Sequence, residues 1–265
     1  MDATEARPEW WQRLAERAAL PPVAPRVPLG LDGVAGTIGS IEPPLATRLQ
    51  AAGLPLRSRA DGGSDVQGAP DAALDAIARW LQAQGLTSRW RDEALAVTDA
   101  EGRRRAVIER AAVRPLGIAT HAMHLIGLAS NGGVWVQQRA LDKATDPGQW
   151  DTLMGGLVAA DETDADALAR ETWEEAGLRL ADLRDLRPVD RFTVRRPVTE
   201  GYLVEHVAVF EALVPDGLQP LNQDGEVAGF ACLSTDALSE RLAAGAFTLE
   251  AALMLAASLR RRGLL

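Results

Sequence analysis

The stretch GGLVAADETDADALARETWEEAGL, residues 155–178, contains the clearest local folding signal in the chain. Thr163 and Asp166 have the spacing of a capping box, in which two polar side chains satisfy the free amides at the start of a helix. Gly177 suits the left-handed residue that commonly ends a helix. The pattern therefore predicts a short helix from about 164 to about 175.

Three glutamates crowd the last turns of this predicted helix. At about 100° per residue, Glu171, Glu174 and Glu175 fall within one stripe. The residues that we expect on the opposite side, against a sheet, are Ala169, Thr172, Trp173 and Ala176. Like charges four residues apart repel, and the carboxyl end of a helix already carries partial negative charge. The cluster is therefore unfavourable unless a cation binds it.

A hard divalent cation would reverse the sign of these interactions. Carboxylates are what Mg²⁺ or Mn²⁺ binds, with positions left open for water and for the phosphate oxygens of a substrate. The alternative is a solvated acidic helix face, which a generic run of glutamates would normally be. The residues around the cluster favour the metal site.

The wider spacing resembles the Nudix box, the signature of the Nudix hydrolases. It reads glycine, five residues, glutamate, seven residues, Arg-Glu, an aliphatic, any residue, Glu-Glu, any residue, glycine, an aliphatic. The matching residues are Gly156, Glu162, Arg170, Glu171, Glu174, Glu175, Gly177 and Leu178. Thr172 departs from the pattern, and we expect that departure to cost packing and not metal binding.

The resemblance implies a loop–helix–loop on an α/β/α sandwich with a mixed sheet, and hydrolysis of a diphosphate linked to another group X. It implies that Glu171, Glu174 and Glu175 hold Mg²⁺ or Mn²⁺, and that the Gly156 carbonyl adds a ligand. Arg170 would fix the loop by pairing with Glu162. A carboxylate would take the proton from the attacking water, and the resemblance leaves open which one.

Further candidates lie outside the box. Glu226 opens a predicted strand and is either a further metal ligand or a plain charge at a strand edge. Arg139 and Lys143 precede the box and either meet the diphosphate or are solvated loop charges. Arg191 is a substrate-binding candidate or part of a charged hairpin edge. Cys232 sits in an apolar strand and reads as a core residue.

The chain of 265 residues is long enough for two domains. Residues 1–117 mix predicted helices at 5–19, 43–52 and 70–84 with a hairpin around Gly102, and we interpret residues 59–70 as a polar loop. Residues 118–265 alternate strands with the box helix and end in predicted helices at 235–244 and 247–262. We therefore expect an accessory α+β domain at 1–117, followed by a mixed α/β Nudix hydrolase domain at 118–265.

Bulk properties exclude several classes of protein. The formal charge of −9 argues against a nucleic-acid surface, and no apolar run is long enough to cross a bilayer. A single cysteine and a start without a signal-peptide pattern fit the reducing cytoplasm. We expect a small-molecule diphosphate as the partner. The oligomeric state stays open, with a homodimer among the alternatives.

The first half carries a second, more diffuse resemblance. Residues 89–127 and the PGQWDTLMGGLVA run are similar to a two-domain Nudix subgroup related to thiamine pyrophosphokinase. For that subgroup the resemblance implies that thiamine diphosphate or its oxidised forms are cleaved to the monophosphate and phosphate. We expect the neutral oxidised form to be preferred if few carboxylates line the ring pocket, with Trp150 or Trp90 as an aromatic wall.

Three other functions remain open at this point. They are hydrolysis of nucleoside diphosphate derivatives such as ADP-ribose or NADH, an isopentenyl-diphosphate isomerase-like reaction, and a non-catalytic binding module. The isomerase chemistry resembles a cysteine–glutamate pair with histidine ligation, for which Cys232 is badly placed.

Overall fold

A computed structural model describes residues 8–143 and 145–265 of the protein. The α-helices in these residues are α1 (Glu9–Arg17), α2 (Pro43–Ala51), α3 (Pro70–Ala83), α4 (Asp164–Ala176), α5 (Thr235–Ala243) and α6 (Leu249–Arg261). The early strands are β1 (Val27–Leu31), β2 (Gly39–Ile41), β3 (Leu56–Ser58), β4 (Ser64–Val66), β5 (Ala94–Thr98) and β6 (Arg104–Glu109). The later strands are β7 (Ala119–Ala129), β8 (Val134–Arg139), β9 (Trp150–Asp151), β10 (Met154–Leu157), β11 (Arg184–Val198), β12 (Gly201–Val214) and β13 (Val227–Leu233).

The later strands form one mixed sheet. Its order is β11-β12-β7-β8-β13, with β10 also pairing with β7 and β9 with β8. β12 and β7 run parallel and the other pairs are antiparallel. The centre of the sheet is therefore β7, whose backbone holds the strand that leads into α4.

Helices cover both faces of this sheet. Met123 and Leu125 of β7 belong to the core beneath α4, whereas Ala122 and Ile126 belong to the core beneath α1, α5 and α6. The alternation along one strand, apolar on both faces, is what a sheet buried between helix layers requires. The arrangement is an α/β/α sandwich with a mixed sheet, which confirms the predicted fold class.

The N-terminal part has a separate apolar core. A four-stranded sheet of order β2-β1-β4-β3 and the β5–β6 hairpin pack with α3, around side chains such as Leu29, Leu74 and Ile108. This smaller α+β unit agrees with the predicted fold class, and its accessory role stays a prediction. The boundary after residue 117 stays a prediction, and β7 begins two residues later at Ala119.

The sequence predicts a polar loop at 59–70, and this prediction is wrong in the middle of the stretch. β4 lies inside it and pairs with β1 on one side and β3 on the other. Its three residues, Ser64 to Val66, are too few and too polar to show an alternating pattern. Backbone pairing on both sides, and not side-chain burial alone, makes this segment a strand.

The first helix lies with the later core and not with the N-terminal one. Trp11 and Leu14 of α1 are buried in the cluster that contains α6. The helix predicted at 5–19 is seen at Glu9–Arg17, and residues 5–7 lie outside the described part of the chain. No helix within 8–143 and 145–265 is long and apolar enough to cross a membrane.

Candidate active site

The helix α4 begins and ends as the sequence predicts. The Thr163 hydroxyl accepts a hydrogen bond from the Asp166 amide at 3.2 Å, and the Asp166 carboxylate accepts one from the Thr163 amide at 3.2 Å. Gly177 ends the helix in the left-handed region, at φ 62°. These local signals fix where the glutamate-bearing turns stand.

The helix is rotated relative to our expectation. Thr172 and Ala176 are buried as predicted, but Ala169 is exposed and the Trp173 side chain is 45% exposed. The Arg179 guanidinium lies 5.7 Å from the centre of the Trp173 ring and covers it at the surface. The buried side of α4 therefore includes Thr172, Glu175 and Ala176, and one of the three glutamates enters the core.

Glu175 is a buried carboxyl with neutral partners. Its Oε2 atom accepts hydrogen bonds from the Gly155 amide at 2.9 Å and from the Gln137 side-chain amide at 2.8 Å. Burial raises the pKa of Glu175 to about 8, and the nearby charge of Glu171 acts in the same direction. The Oε1 atom of Gln137 is buried without a hydrogen-bond partner, so the polar groups around Glu175 are incompletely satisfied.

Gly156 allows Glu171 to lie against the β10 backbone. A Cβ atom placed on Gly156 would stand 1.9 Å from the Glu171 Cδ atom, a distance that no side chain can accommodate. Burial raises the pKa of Glu171, and the charges of Glu174 and Glu226 also raise it. The glycine that opens the box is therefore required by close approach of a glutamate.

Arg170 ties the loop after β10 to the helix. Its guanidinium binds both oxygens of Glu162, at 2.5 Å and 2.8 Å, and donates to the Leu157 carbonyl at 3.2 Å. Its Nη1 atom also lies 2.8 Å from Glu171 and 3.1 Å from Glu174. The hydrogen bond from Arg170 lowers the pKa of Glu162. The pairing of Arg170 with Glu162 that the resemblance implied is present.

Glu226 and Lys143 join the glutamate cluster from a neighbouring edge. Their side chains form an ion pair between the loop after β8 and the start of β13. Burial would raise the pKa of Glu226, but the hydrogen bond and charge of Lys143 outweigh it and leave that pKa lowered. Glu226 acts on Glu171 and Lys143 acts on Glu175, so the four side chains form one electrostatic unit.

Arg139 and Arg191, the two other predicted substrate-binding residues, line different cavities. Arg139 lines the same cavity as Lys143, but its guanidinium binds the Thr145 carbonyl at 3.0 Å and Asp151 at 3.4 Å. Arg191 lines a second cavity, beside His121 and His206, and not this one. The placement favours a structural role for Arg139 and does not bring Arg191 to the glutamates.

The donor set fits a hard divalent cation. Glu171, Glu174, Glu175 and Glu226 offer carboxylate oxygens, which Mg²⁺ and Mn²⁺ prefer. Within the described part of the chain no three acidic, histidine or cysteine side chains form a ready-made cation site. Arg170 and Lys143 supply the positive charge there, so an incoming cation would compete with these two side chains for the carboxylates.

A cavity of about 230 Å³ lies beside Gly155 and Gly156. The later domain contributes the ends of β7, β8, β10 and β12, and the N-terminal part contributes residues around 88–91 and 110–118. Its charged lining residues from the N-terminal part are Arg89, Arg91, Arg110 and Arg114. Our sequence reasoning missed these arginines. Their density in RWRD and in ERAAVRP was visible, but not which cavity they face.

The α/β/α sandwich with its glutamate-bearing helix defines a class of fold that comparison with known proteins identifies. The model of the NUDIX domain matches residues 120–253. The chain belongs to the NUDIX domain family. The fold is also that of DR0079 from Deinococcus radiodurans, with a TM-score of 0.51 and 24% identity over 63% of this chain and 98% of that one.

Curated relatives match the same region. An uncharacterized Nudix hydrolase of Pseudomonas aeruginosa is 40% identical over 35% of this chain and 55% of its own length. Nudix hydrolase 24 of Arabidopsis thaliana is 33% identical over 46% of this chain and 34% of its own. An isopentenyl-diphosphate Delta-isomerase of Corynebacterium glutamicum is 30% identical over 51% of this chain and 74% of its own. The match thus spans about half or less of the first two relatives.

Proposed function

We propose that the protein is a metal-dependent pyrophosphohydrolase that cleaves a diphosphate linked to another group X. The observation that carries the proposal is the buried glutamate cluster on α4, held by Arg170 and opening beside a cavity rich in arginine. Membership of the NUDIX domain family supports the same reaction class.

The chain's own residues have separable tasks in this proposal. Mg²⁺ or Mn²⁺, bound by Glu171, Glu174, Glu175 and Glu226, would neutralise phosphate oxygens and acidify a water molecule. Arg170 positions Glu171 and Glu174, and its pairing with Glu162 holds the loop that carries them. Glu174 is the most exposed of the three helix glutamates, with its side chain 43% exposed, and is the one best placed to exchange a proton with water.

The preferred X group is proposed to be thiamine or an oxidised derivative, with the monophosphate and phosphate as products. The support is the resemblance of residues 89–127 and 147–159 to the thiamine-related subgroup, together with a small cavity that the N-terminal part helps to line. The aromatic wall suggested for the ring is not found there. Trp150 stacks under Arg241 and Trp90 lies beside Arg79, and neither lines the cavity.

Hydrolysis of nucleoside diphosphate derivatives such as ADP-ribose or NADH is the alternative within the family. Both substrate classes present a diphosphate to the same glutamates, so the reaction class does not separate them. We propose that the N-terminal part makes the selection, because pockets commonly form where two parts of a chain meet. The cytoplasm is the proposed location, since a single cysteine allows no internal disulfide.

An isomerase reaction is the second candidate function, because isopentenyl-diphosphate isomerases are 30% identical over half of the chain. The isomerase reaction is expected to need a cysteine beside the glutamates, and no cysteine in the described part of the chain lines this cavity. Cys232, the only cysteine, lies at the far end of β13 against Gly133, and it does not line the cavity. Our prediction that it is a core residue is wrong, because the structure exposes it.

A substrate panel tests these proposals. The purified 265-residue protein with Mg²⁺ would be given thiamine diphosphate, its oxo form, ADP-ribose, NADH and isopentenyl diphosphate, with phosphate release and product masses recorded. We expect hydrolysis of a thiamine-type diphosphate to be fastest. A tenfold advantage for ADP-ribose or NADH would replace the thiamine proposal with the nucleotide one. Isomerised product at unchanged mass would favour the isomerase, and no reaction with any compound would favour a binding module.

A further inference from the structure

The cavity beside the glutamates has a second group of carboxylates at its other end. His124 of β7 lies opposite Gly155 of β10, at the level of the glutamate cluster. Thr120 lies four residues earlier on the same strand and opposite Glu205 of β12. Four residues of strand span about 13 Å, so Glu205 stands about that far from the proposed metal-binding end.

Glu205 has no positive partner. It lines the cavity, and the Thr120 hydroxyl donates a hydrogen bond to it at 3.2 Å. Among the residues that the structure describes, no arginine or lysine forms an ion pair with it. The charges of Arg114 and Arg110 lower the pKa of Glu205 without an ion pair to it. Arg114 forms its ion pair with Glu200, and Arg110 forms its ion pair with Glu93. A partly buried carboxylate that accepts a hydrogen bond from only one neutral donor is not compensated for the hydration that it loses on burial.

Glu250 stands at the same end of the cavity. Its side chain is 12% exposed, and Arg196 reaches one of its oxygens only at 3.4 Å. Burial, together with the charge of Glu250, raises the pKa of Glu205 to about 7. Two carboxyls thus face one space, and only one of them, Glu250, has an ion pair.

We propose that Glu205 and Glu250 bind a positively charged nitrogen group on X, so that the substrate is a diphosphate joined to a cation about 13 Å away. This inference rests on the proposed diphosphate hydrolysis and adds the class of the group X. It reverses our expectation that a neutral oxidised ring is preferred, because that expectation depended on a pocket wall with few carboxylates. A quaternary or protonated nitrogen fits two carboxylates of which only Glu250 has an ion pair, and a second anion does not.

The test uses two diphosphate esters of the same shape. They are 6-(trimethylammonio)hexyl diphosphate, which is cationic, and 7,7-dimethyloctyl diphosphate, in which a neutral carbon replaces the nitrogen. The six-carbon chain allows the nitrogen to reach about 13 Å from the terminal phosphate. For the wild-type protein with Mg²⁺ we expect kcat/KM to be at least about tenfold higher for the cationic ester, since one desolvated charge contact is worth about that much. Thiamine diphosphate should exceed its neutral oxo form in the same way.

The Glu205→Gln variant should bring the ratio of the two kcat/KM values close to one, chiefly through KM for the cationic ester. The amide keeps the shape of the side chain and an oxygen for the Thr120 hydroxyl. Glu250→Gln should lower the ratio in the same direction, and the exposed Glu240→Gln should leave it unchanged. Circular dichroism would verify that each variant is folded.

A wild-type ratio of one or below, or an equal ratio in wild type and Glu205→Gln, would overturn the inference while leaving the diphosphatase proposal intact. If neither ester is hydrolysed while another diphosphate of the substrate panel is, the inference is read from calorimetric binding of the same two esters; only if nothing in the panel is hydrolysed does the proposed function fail. Tighter binding of the cationic ester, lost in Glu205→Gln, would support it. Equal binding of both esters would overturn it.

Discussion

Two buried carboxylate sites in the molecule are built in opposite ways. Asp99, in the turn of the β5–β6 hairpin, has a side chain only 1% exposed. It accepts hydrogen bonds from the amides of Glu101 and Arg103, at 3.0 Å and 2.9 Å, and from the guanidiniums of Arg103 and Arg105, at 3.0 Å and 2.6 Å. Burial would raise the pKa of Asp99, but these bonds and charges outweigh it and hold that pKa well below its usual range.

Glu175 on α4 is buried as well, yet only neutral groups, Gly155 and Gln137, donate to it. Its pKa is raised to about 8, and burial also raises that of Glu171. The contrast shows that a carboxylate with a structural role is neutralised by its own chain. The α4 glutamates are incompletely neutralised, which is typical of groups that await a ligand.

The largest effect should come from removing charge at the glutamate cluster. Glu174→Gln and Glu175→Gln should each lower kcat for the best diphosphate by about a hundredfold or more, because each removes an anionic oxygen that would hold the cation. The melting temperature should stay equal or rise, because like-charge repulsion is relieved. Calorimetry and phosphate release measure the two effects.

The exposed Glu240→Gln, on α5, is the matched control for these variants and should retain wild-type kcat. Wild-type turnover in Glu175→Gln would show that this glutamate has no catalytic role. The difference between Asp99 and the α4 glutamates would then have no functional meaning.

The next largest effect is expected at the hairpin. Asp99→Asn should lower the melting temperature by several degrees while leaving kcat unchanged, because the amide cannot accept all of the bonds and leaves Arg103 and Arg105 without their charge partner. An unchanged melting temperature would show that the hairpin carboxylate contributes no net stability.

The same variant has a definite pH dependence. The pKa of Asp99 is lower in the folded protein than its ordinary value of 3.8, so its stabilisation is full above that pH and is lost as the pH falls below it. The difference in melting temperature between wild type and Asp99→Asn should therefore narrow between about pH 5 and about pH 2. A constant difference across that range would contradict the assignment.

A smaller effect should follow from one of the arginines that the N-terminal part contributes. Arg91 is exposed, lines the cavity and acts on Glu226 by its charge, so it is placed to meet the diphosphate. Arg91→Ala should raise KM about tenfold with little change in kcat, since a lost contact to phosphate is worth about that much. Arg57→Ala, on the remote strand β3, should leave KM unchanged; an equal rise in both variants would indicate a general charge effect.

The smallest effect is expected at Thr172, where the chain departs from the family pattern. Its side chain is fully buried, and the hydroxyl donates to the Leu168 carbonyl at 2.6 Å. Thr172→Val should change the free energy of unfolding by no more than about 1 kcal/mol and should leave kcat unchanged. Loss of metal-dependent activity in this variant would mean that packing behind the glutamates controls the site.

The sequence predicted the parts of this molecule that depend on short-range signals. The capping box of Thr163 and the terminal Gly177 define α4 within a few residues of chain, and the spacing from Gly156 to Glu175 indicated the glutamate cluster. What it missed depends on contacts between distant segments. Strand β4 is visible only once its two neighbours are known, and the exposure of Trp173 depends on how α4 rotates against the sheet.

The cavity illustrates the same limit. Glu205 reads as one polar residue in an alternating strand, and only the pairing of β12 with β7 places it beside Thr120. The predicted preference for a neutral oxidised ring depends on a wall with few carboxylates, and no local pattern tells which carboxylates share a cavity with Gly156.

The most direct test of the account is the dependence of hydrolysis on a divalent cation. The 265-residue protein stripped with EDTA would be titrated with Mg²⁺ or Mn²⁺ while phosphate release from the best diphosphate is followed. The account predicts no release above background in EDTA, saturable recovery with either ion, and no recovery in Glu175→Gln. Hydrolysis by the stripped protein at the full wild-type rate would contradict the claim that the incompletely neutralised glutamates of α4 exist to bind a cation.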